Sequence, residues 1–408
     1  MVTNTGCAAS PLASREAAEA YVAMICFKHG PPRQVGVELE WTVHHRSDPG
    51  RPLDPAHLAT ALGAHAPRTL TPDSLHGPLP NGSLITVEPG GQVELSSPPT
   101  SSVAGLLSGV DQDLRVLDDL LAQADLSRGD QATDAHRGPS RILDLPRYAA
   151  MQTVFDRLGP DGSVMMCSTA SIQLCLDAGE PDQVAARWRA LHSIGPAMVA
   201  LFANSPRLAG DDTGWASTRL RSTLGTCPPV TEPPGHDADP ARAWARLAMA
   251  APVLCLRRDG SCWDAPTGLS FGDWVDGSYS TVPTYDDLDY HLSTLFPPVR
   301  PRGYLEVRYL DSQPTDTWHL PVLLLSAVMS GADTVDAAID VSEQAADRWL
   351  EAARHGLDDE TVLETASALI ELGGAAMSNL DVDTQTITLA TDALERRITD
   401  HSMRRHSA

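Results

Sequence analysis

Hydrophobic and polar residues alternate in several short segments of the chain, and longer segments between them show helical spacing. Alternation is typical of β-strands with one buried face, whereas apolar residues three and four positions apart indicate amphipathic helices. The alternation predicts strands at 35–43, 84–97 (two short strands around a Pro-Gly-Gly turn), 164–177, 253–257 and 303–313. The helical spacing predicts helices at 14–29, 54–64, 101–124, 146–158, 181–203, 240–251, 286–296 and, as a series, about 316–402.

The arrangement of these segments predicts the fold class. No internal repeat or low-complexity linker divides the 408 residues. We therefore expect one domain, 1–408, of the α+β class, with helices on one side of an antiparallel sheet. The remaining long segments are predicted to be loops, at 65–82, 127–142, 205–236 and 259–283.

Four of the predicted strands carry polar side chains at alternate positions. The pairs are Glu38/Glu40, Gln92/Glu94, Ser171/Gln173 and Glu306/Arg308. A sheet face in contact with water also alternates, so a solvated surface explains any one of these strands. Solvated faces usually mix acidic with basic residues, however, and here basic residues are almost absent. If the strands share a sheet, their carboxylates converge and need cations to offset the repulsion.

Oxygen ligands alone indicate Mg²⁺ or Mn²⁺ rather than zinc. Glu88, beside the Pro-Gly-Gly turn, is a further candidate ligand. Arg308 shares a strand face with Glu306, and Arg219 and Arg221 lie together in a predicted loop that could close over the site. Metal ions and arginines together are suited to phosphoryl transfer, because both bind phosphate oxygens. A simple ion pair and an ordinary solvated loop would explain the same arginines without a function.

Composition excludes several function classes. The net charge of -23 opposes binding to nucleic acid or anionic membranes, and no apolar run approaches the roughly 20 residues that span a bilayer. Lys28 is the only lysine and precedes His29, which excludes a P-loop. The seven cysteines form no CxxC pair, and the first residues lack the features of a signal peptide. Both observations predict a cytoplasmic protein.

Four motifs resemble the glutamate–cysteine ligase family of the glutamine-synthetase-like superfamily, and they occur in the order typical of that family. They are G-V-E-L-E-W (36–41), T-V-E-P-G-G-Q-V-E-L-S-S-P (86–98), C-S-T-A-S-I-Q-L-C-L-D (167–177) and P-P-V-R-P-R-G-Y-L-E-V-R-Y-L-D (297–311). They are most similar to actinobacterial ligases that make γ-glutamylcysteine for ergothioneine synthesis. The resemblance implies an open antiparallel sheet that forms an active-site funnel with helices packed outside, as in glutamine synthetase and the guanido kinases.

The resemblance also implies roles for individual residues. It implies Mg²⁺ ligands, with Mn²⁺ as an alternative ion, at Glu38, Glu40, Glu88, Glu94, Gln173 and Glu306. Arg308 matches an arginine that contacts the transferred phosphoryl group, and Arg221 matches a loop arginine at the reacting centre. Arg219 and Ser171 are expected to bind ATP. Which of the two loop arginines reaches the site stays open.

The implied reaction joins the γ-carboxylate of glutamate to the amine of cysteine through a γ-glutamyl phosphate. The expected partners are L-glutamate, L-cysteine and ATP, with no nucleic acid and no membrane. Three alternatives stay open: a ligase that uses a different amine, a non-catalytic relative that binds metal or nucleotide, and a metal hydrolase that needs no ATP. The intact carboxylates and Arg308 count against the non-catalytic relative.

Overall fold

The computed structural model describes residues 10–234 and 238–407. The segment on which the signal-peptide expectation rests, residues 1–9, lies outside this part of the chain. The strands are β1 (Val35–Trp41), β2 (Val43–His45), β3 (Leu84–Val87), β4 (Val93–Ser96), β5 (Leu126–Arg128), β6 (Ser171–Leu176), β7 (Arg207–Leu208), β8 (Asp211–Asp212), β9 (Val299–Pro301) and β10 (Leu305–Asp311).

Helices make up most of the remaining regular structure. The helices before the middle of the chain are α1 (Arg15–Cys26), α2 (Pro55–Leu62), α3 (Val103–Gln123), α4 (Pro146–Leu158), α5 (Asp161–Ser168), α6 (Val184–Ser193) and α7 (Gly195–Phe202). Those that follow are α8 (Thr218–Thr226), α9 (Pro228–Thr231), α10 (Pro240–Ala250), α11 (Phe271–Val275), α12 (Tyr285–Leu292), α13 (His319–Val328), α14 (Ala332–Ser342), α15 (Trp349–His355), α16 (Glu360–Ala376) and α17 (Thr384–Ser407). The predicted C-terminal series of helices is confirmed.

Six strands form one sheet in the order β3-β4-β1-β6-β10-β9, and each neighbouring pair is antiparallel. The register places Glu40 opposite Glu94, and Glu38 opposite Gln173. Since successive side chains of a strand point to opposite faces, this register brings the predicted polar residues onto one face of the sheet. The α+β class with an antiparallel sheet is confirmed.

The other face of the sheet forms part of the main hydrophobic core. Its side chains are almost completely buried: Val37, Leu39, Trp41, Ile172, Leu174, Leu305, Val307 and Tyr309. The Tyr309 hydroxyl donates a hydrogen bond to the carbonyl oxygen of Leu191 in α6, at 3.0 Å. Removal of this apolar surface from water stabilises the sheet and leaves only its opposite face available for chemistry. The single-domain organisation stays a prediction.

Several predictions of local structure are wrong, and one of them is the predicted loop 259–283, which contains the short helix α11. Residues 164–168 belong to α5 rather than to a strand, because a short apolar run without alternation fits a buried helix equally well. Residues 253–257 form no regular strand. The predicted loop 205–236 contains helix α8, which begins after Ser217, whose side chain accepts a hydrogen bond from the backbone N–H of Leu220.

The predicted helix 181–203 is divided at Ile194 into α6 and α7. No single helix in the described part of the chain has the length and apolar composition to cross a membrane. Helices α13 and α14 have that length and composition only when they are counted as one segment, and they are bent sharply relative to each other.

Candidate active site

A cavity of about 280 Å³ lies on the polar face of the sheet. Eight of the ten predicted site residues line it: Glu38, Glu40, Glu88, Glu94, Ser171, Gln173, Arg219 and Arg308. Glu306 is fully buried and does not line the cavity. Arg221 does not line it either. The cavity therefore joins side chains that are as distant in sequence as Glu38 and Arg308.

Hydrogen bonds fix two of the carboxylates in the cavity. Glu40 accepts bonds from the Ser171 N–H at 2.8 Å, the Ser171 hydroxyl at 2.7 Å and the Gln173 side-chain amide at 2.8 Å. Glu94 accepts bonds from the hydroxyls of Thr86 at 2.5 Å and Ser96 at 3.2 Å. These donors are neutral, so they orient the carboxylates without cancelling their charge.

The carboxylates raise one another's pKa values. Burial, followed by the charges of Glu38 and Glu40, raises the pKa of Glu94 well above its usual range. Burial and the neighbouring Glu40 raise the pKa of Glu88 to about 7. Burial and the charge of Glu306 raise the pKa of Glu38. Among the described residues, Glu38, Glu40, Glu88 and Glu94 form no ion pair, so their oxygens and uncompensated charge fit a hard divalent cation.

The raised pKa of Glu88 predicts a pH-dependent stability. The folded protein holds a proton on Glu88 up to about pH 7, whereas the unfolded chain releases it near the ordinary pKa of 4.5. Stability from this group is therefore present below pH 4.5 and is lost as the pH rises through 7, by at most about 3 kcal/mol. Without divalent cations, we expect the melting temperature of Glu88→Gln to exceed the wild-type value increasingly from about pH 5 to pH 8.

Thermal melts at several pH values with and without Mg²⁺ check this expectation. Mg²⁺ should stabilise the wild-type protein more at about pH 8 than at pH 5, because bound cations replace the protons that the carboxylates otherwise retain. A Glu88→Gln difference that does not change with pH would show that the charge of Glu88 is already compensated within the protein.

Glu306 differs from the other carboxylates because arginines surround it. Its Oε2 accepts hydrogen bonds from Arg300 Nε at 2.6 Å and Arg308 Nη1 at 3.0 Å. Its Oε1 lies 3.5 Å from Arg302 Nη1. Burial alone would raise the pKa of Glu306, but Arg300 and Arg308 lower it to about 2. This end of the cavity is therefore basic, while the end near Glu94 is acidic.

Gln173 connects the acidic and basic ends of the cavity. Its amide nitrogen donates to Glu40 Oε1 at 2.8 Å, and its amide oxygen accepts a hydrogen bond from Arg308. The Arg308 guanidinium also lies over the ring of Phe296, 5.9 Å from the ring centroid. Arg308 is thus held from three sides, counting its bond to Glu306, in a position at the junction of the two ends.

The two arginines of α8 lie on different sides of the helix. Arg219 is 5% exposed and lines the cavity, with its Nη1 3.7 Å from Asp311 and its Nη2 donating to the carbonyl oxygen of Arg308. Arg221 pairs with Asp161 at 3.2 Å and has a side chain that is 38% exposed. Helical residues two positions apart face nearly opposite directions. The helix therefore brings Arg219, and not Arg221, to the cavity.

Several cavity residues were not predicted from the sequence. They are Arg147 and Tyr148 of α4, Thr169 before β6, and Arg300 and Arg302 around β9. Arg300 and Arg302 stand two positions apart in R-P-R, just before the strand that carries Glu306, and this spacing was an available signal. Arg147 had no such signal, since an arginine near the start of a helix is ordinary.

Comparisons with known proteins show the family of the chain. A family model described as glutamate-cysteine ligase family 2 matches residues 34–400. The glutamate–cysteine ligase EgtA of Mycolicibacterium smegmatis is 36% identical over 406 residues, which cover 97% of this chain and 92% of that protein. The EgtA of Mycobacterium tuberculosis is 38% identical over 367 residues, which cover 87% and 82% of the two chains.

A solved structure also shares the fold. The crystal structure of glutamate–cysteine ligase from Francisella tularensis in complex with AMP has a TM-score of 0.55 to this chain at 15% identity. The match covers 92% of this chain and 83% of that one. The family model over most of the sequence and the two EgtA relatives lead to one conclusion about the family. The chain belongs to glutamate–cysteine ligase family 2.

Proposed function

We propose that the chain is an ATP-dependent glutamate–cysteine ligase that forms γ-glutamylcysteine, a product that would feed ergothioneine biosynthesis. The observation that best supports this proposal is a cavity with an acidic end, which has four carboxylates, and a basic end, which has Arg300, Arg302 and Arg308. Such a division suits a reaction that uses both metal cations and phosphate groups. The names of the EgtA relatives and the AMP in the Francisella protein support the same reaction.

In the proposed reaction, the γ-carboxylate of glutamate first receives the terminal phosphoryl group of ATP, because a free carboxylate is a poor acyl donor. The amine of cysteine then attacks the acyl carbon, forms the amide and releases phosphate. Both steps build negative charge on oxygen atoms, which preorganised cations and hydrogen-bond donors stabilise. No protein nucleophile is needed.

We propose that Glu38, Glu40, Glu88 and Glu94 hold Mg²⁺, with Mn²⁺ as an alternative, and that Gln173 and Glu306 complete or orient this set. The raised pKa values of Glu38, Glu88 and Glu94, and the lack of an ion pair for any of the four carboxylates among the described residues, fit cation binding. When bound, the cations would neutralise phosphate charge and orient the nucleotide. Ser171 supports this set through its two hydrogen bonds to Glu40.

The arginines would bind the phosphoryl group and position it. Arg308 lies at the junction of the acidic and basic ends of the cavity, a position that suits contact with the phosphoryl group during its transfer. Arg219, fixed against Asp311 and the backbone of β10, would add a second positive charge beside that of Arg308. A planar guanidinium group donates two parallel hydrogen bonds to a pair of phosphate oxygens, and lysine does not reproduce this geometry. Arg221 is proposed to act only if α8 changes its orientation on substrate binding.

The experiment that tests the proposal is ADP release by the purified protein. We expect rapid release only when glutamate, cysteine and Mg-ATP are all present, and γ-glutamylcysteine should appear by mass spectrometry in equal amount. Replacing cysteine by a panel of other amines separates cysteine ligation from ligation of a different amine. Amide formation without ATP, or faster turnover with another amine at equal concentration, would contradict the proposal.

A further inference from the structure

A second cavity, of about 300 Å³, lies on the same polar face of the sheet, beyond Glu38. Gly36, Glu38, Cys175 and Tyr304 are among the residues that line it. The register places Cys175 of β6 directly between two neighbours, opposite Gly36 of β1 on one side and opposite Glu306 of β10 on the other. The Cys175 thiol therefore lies on the same face of the sheet as the carboxylates of Glu38 and Glu306.

Donor atoms of three residues converge at this place. A carboxylate oxygen of Glu38, the Cys175 sulfur and a carboxylate oxygen of Glu306 all lie within 4.8 Å of one another. Zinc binds thiolates at about 2.3 Å and carboxylates at about 2.0–2.2 Å, so one ion contacts all three after side-chain movements of about 1 Å. Three protein ligands and one open position are a common zinc arrangement.

The two carboxylates keep oxygens that are available for a metal ion. Among the described residues, Glu38 has no hydrogen-bond or ion-pair partner for its carboxylate. Glu306 uses Oε2 for Arg300 and Arg308, but Oε1 is approached only by Arg302, at 3.5 Å. The Arg302 side chain is 44% exposed, so it can turn away into solvent.

Access to the thiol depends on the residue opposite it. Gly36 has no side chain, and a Cβ atom built there would lie 3.9 Å from the Cβ of Cys175. A larger residue at this position would extend over the thiol. The half-buried Cys175 and Glu38 instead line the second cavity, so an ion in that cavity reaches both side chains.

We propose that Glu38, Cys175 and Glu306 form a binding site for a soft divalent cation such as Zn²⁺ or Cd²⁺, and that occupation of this site inhibits the enzyme. The thiol distinguishes this site from the oxygen-only set around Glu94, because soft cations prefer sulfur whereas Mg²⁺ prefers oxygen. The inhibition rests on the proposed function, since Zn²⁺ would occupy Glu38 and remove it from the Mg²⁺ ligands. The binding itself does not rest on that function.

Cd²⁺ titration of the full-length protein tests the binding directly, through the ultraviolet absorption of cadmium–thiolate bonds. We expect one equivalent of Cd²⁺ to produce this absorption in the wild-type protein, and Cys175→Ser to lose it. Cys255→Ser is the matched control, because Cys255 is a buried thiol that lines neither cavity, and it should keep the absorption. Absorption that persists undiminished in Cys175→Ser overturns the site, whether or not the protein ligates glutamate.

Zn²⁺ inhibition of ADP release tests the second half of the proposal. Free Zn²⁺ must be set by a chelating buffer, because substrate cysteine also binds it, and each variant is normalised to its own rate without Zn²⁺. We expect the half-inhibiting concentration to rise at least tenfold in Cys175→Ser and to stay unchanged in Cys255→Ser. Equal inhibition of wild type and Cys175→Ser overturns the inhibitory role. Melting temperatures of all variants verify that the substitutions leave the fold intact.

Discussion

Glu94→Gln is expected to lower kcat/KM about 100-fold or more, which corresponds to ~3 kcal/mol of transition-state stabilisation. Glutamine keeps the size of the side chain and its contacts with Thr86 and Ser96, but it lacks the negative charge that would hold a divalent cation. Since the charge of Glu94 is opposed by burial and by neighbouring carboxylates, the metal-free variant should melt at a temperature equal to or above that of the wild type. Loss of activity with no loss of stability separates a ligand from a structural residue.

Two measurements complete this test. Steady-state rates at increasing Mg²⁺ should show that Glu94→Gln needs a higher concentration for half-maximal activity. Glu371→Gln is the matched control, because Glu371 is an exposed residue of α16, and it should behave as the wild type does. Full activity of Glu94→Gln at the Mg²⁺ concentration that suffices for the wild type would exclude Glu94 from the metal site.

Arg308→Lys is expected to reduce kcat about 1000-fold while changing the KM for glutamate and cysteine far less. Lysine keeps the positive charge, but its compact ammonium group lacks the planar, forked donors of the guanidinium, which bonds Glu306 and Gln173 and presents further N–H groups to a phosphoryl group. An arginine that binds the transferred group contributes mainly in the transition state, and removal of such a contact lowers kcat.

Separate kcat and KM values distinguish this role from a structural one. Arg308 also donates a hydrogen bond to the buried carboxylate of Glu306 at 3.0 Å, and because lysine does not reproduce its geometry, a drop in melting temperature is expected alongside the kinetic effect. Arg246→Lys, on the exposed side of α10, is the control for the chemistry of the substitution. If Arg308→Lys raises KM but leaves kcat near the wild-type value, Arg308 binds substrate in the ground state and has no special role in transfer.

Much of the candidate site could be predicted from the sequence because strand alternation alone decides which side chains share a face. The segments around Glu38 and Glu94 each alternate, and once their strands pair, the carboxylates must lie on one side of the sheet. The same rule predicted that Ser171 and Gln173 would join them. What the alternation could not supply was the environment of each residue, which depends on neighbours distant in sequence.

Glu306 and Arg219 illustrate that limit. Glu306 occupies an alternate strand position, as the other predicted metal ligands on strands do. Arg300 of the edge strand β9, however, lies opposite it in the β9–β10 pairing and compensates its negative charge. The sequence does not distinguish Arg219 from Arg221 as long as their segment is predicted to be a loop. Because the segment forms helix α8, the two side chains point in different directions. Arg147 reaches the cavity through the packing of α4, for which local sequence carries no signal.

The most direct measurement for the central claim uses glutamate labelled with ¹⁸O in its γ-carboxylate. If the γ-carboxylate is phosphorylated by ATP before cysteine attacks, one labelled oxygen must leave with the phosphate in each turnover. We therefore expect one ¹⁸O atom per phosphate released, with γ-glutamylcysteine formed in equal amount. Phosphate that carries no ¹⁸O while the amide still forms would contradict activation of glutamate by phosphoryl transfer in this site.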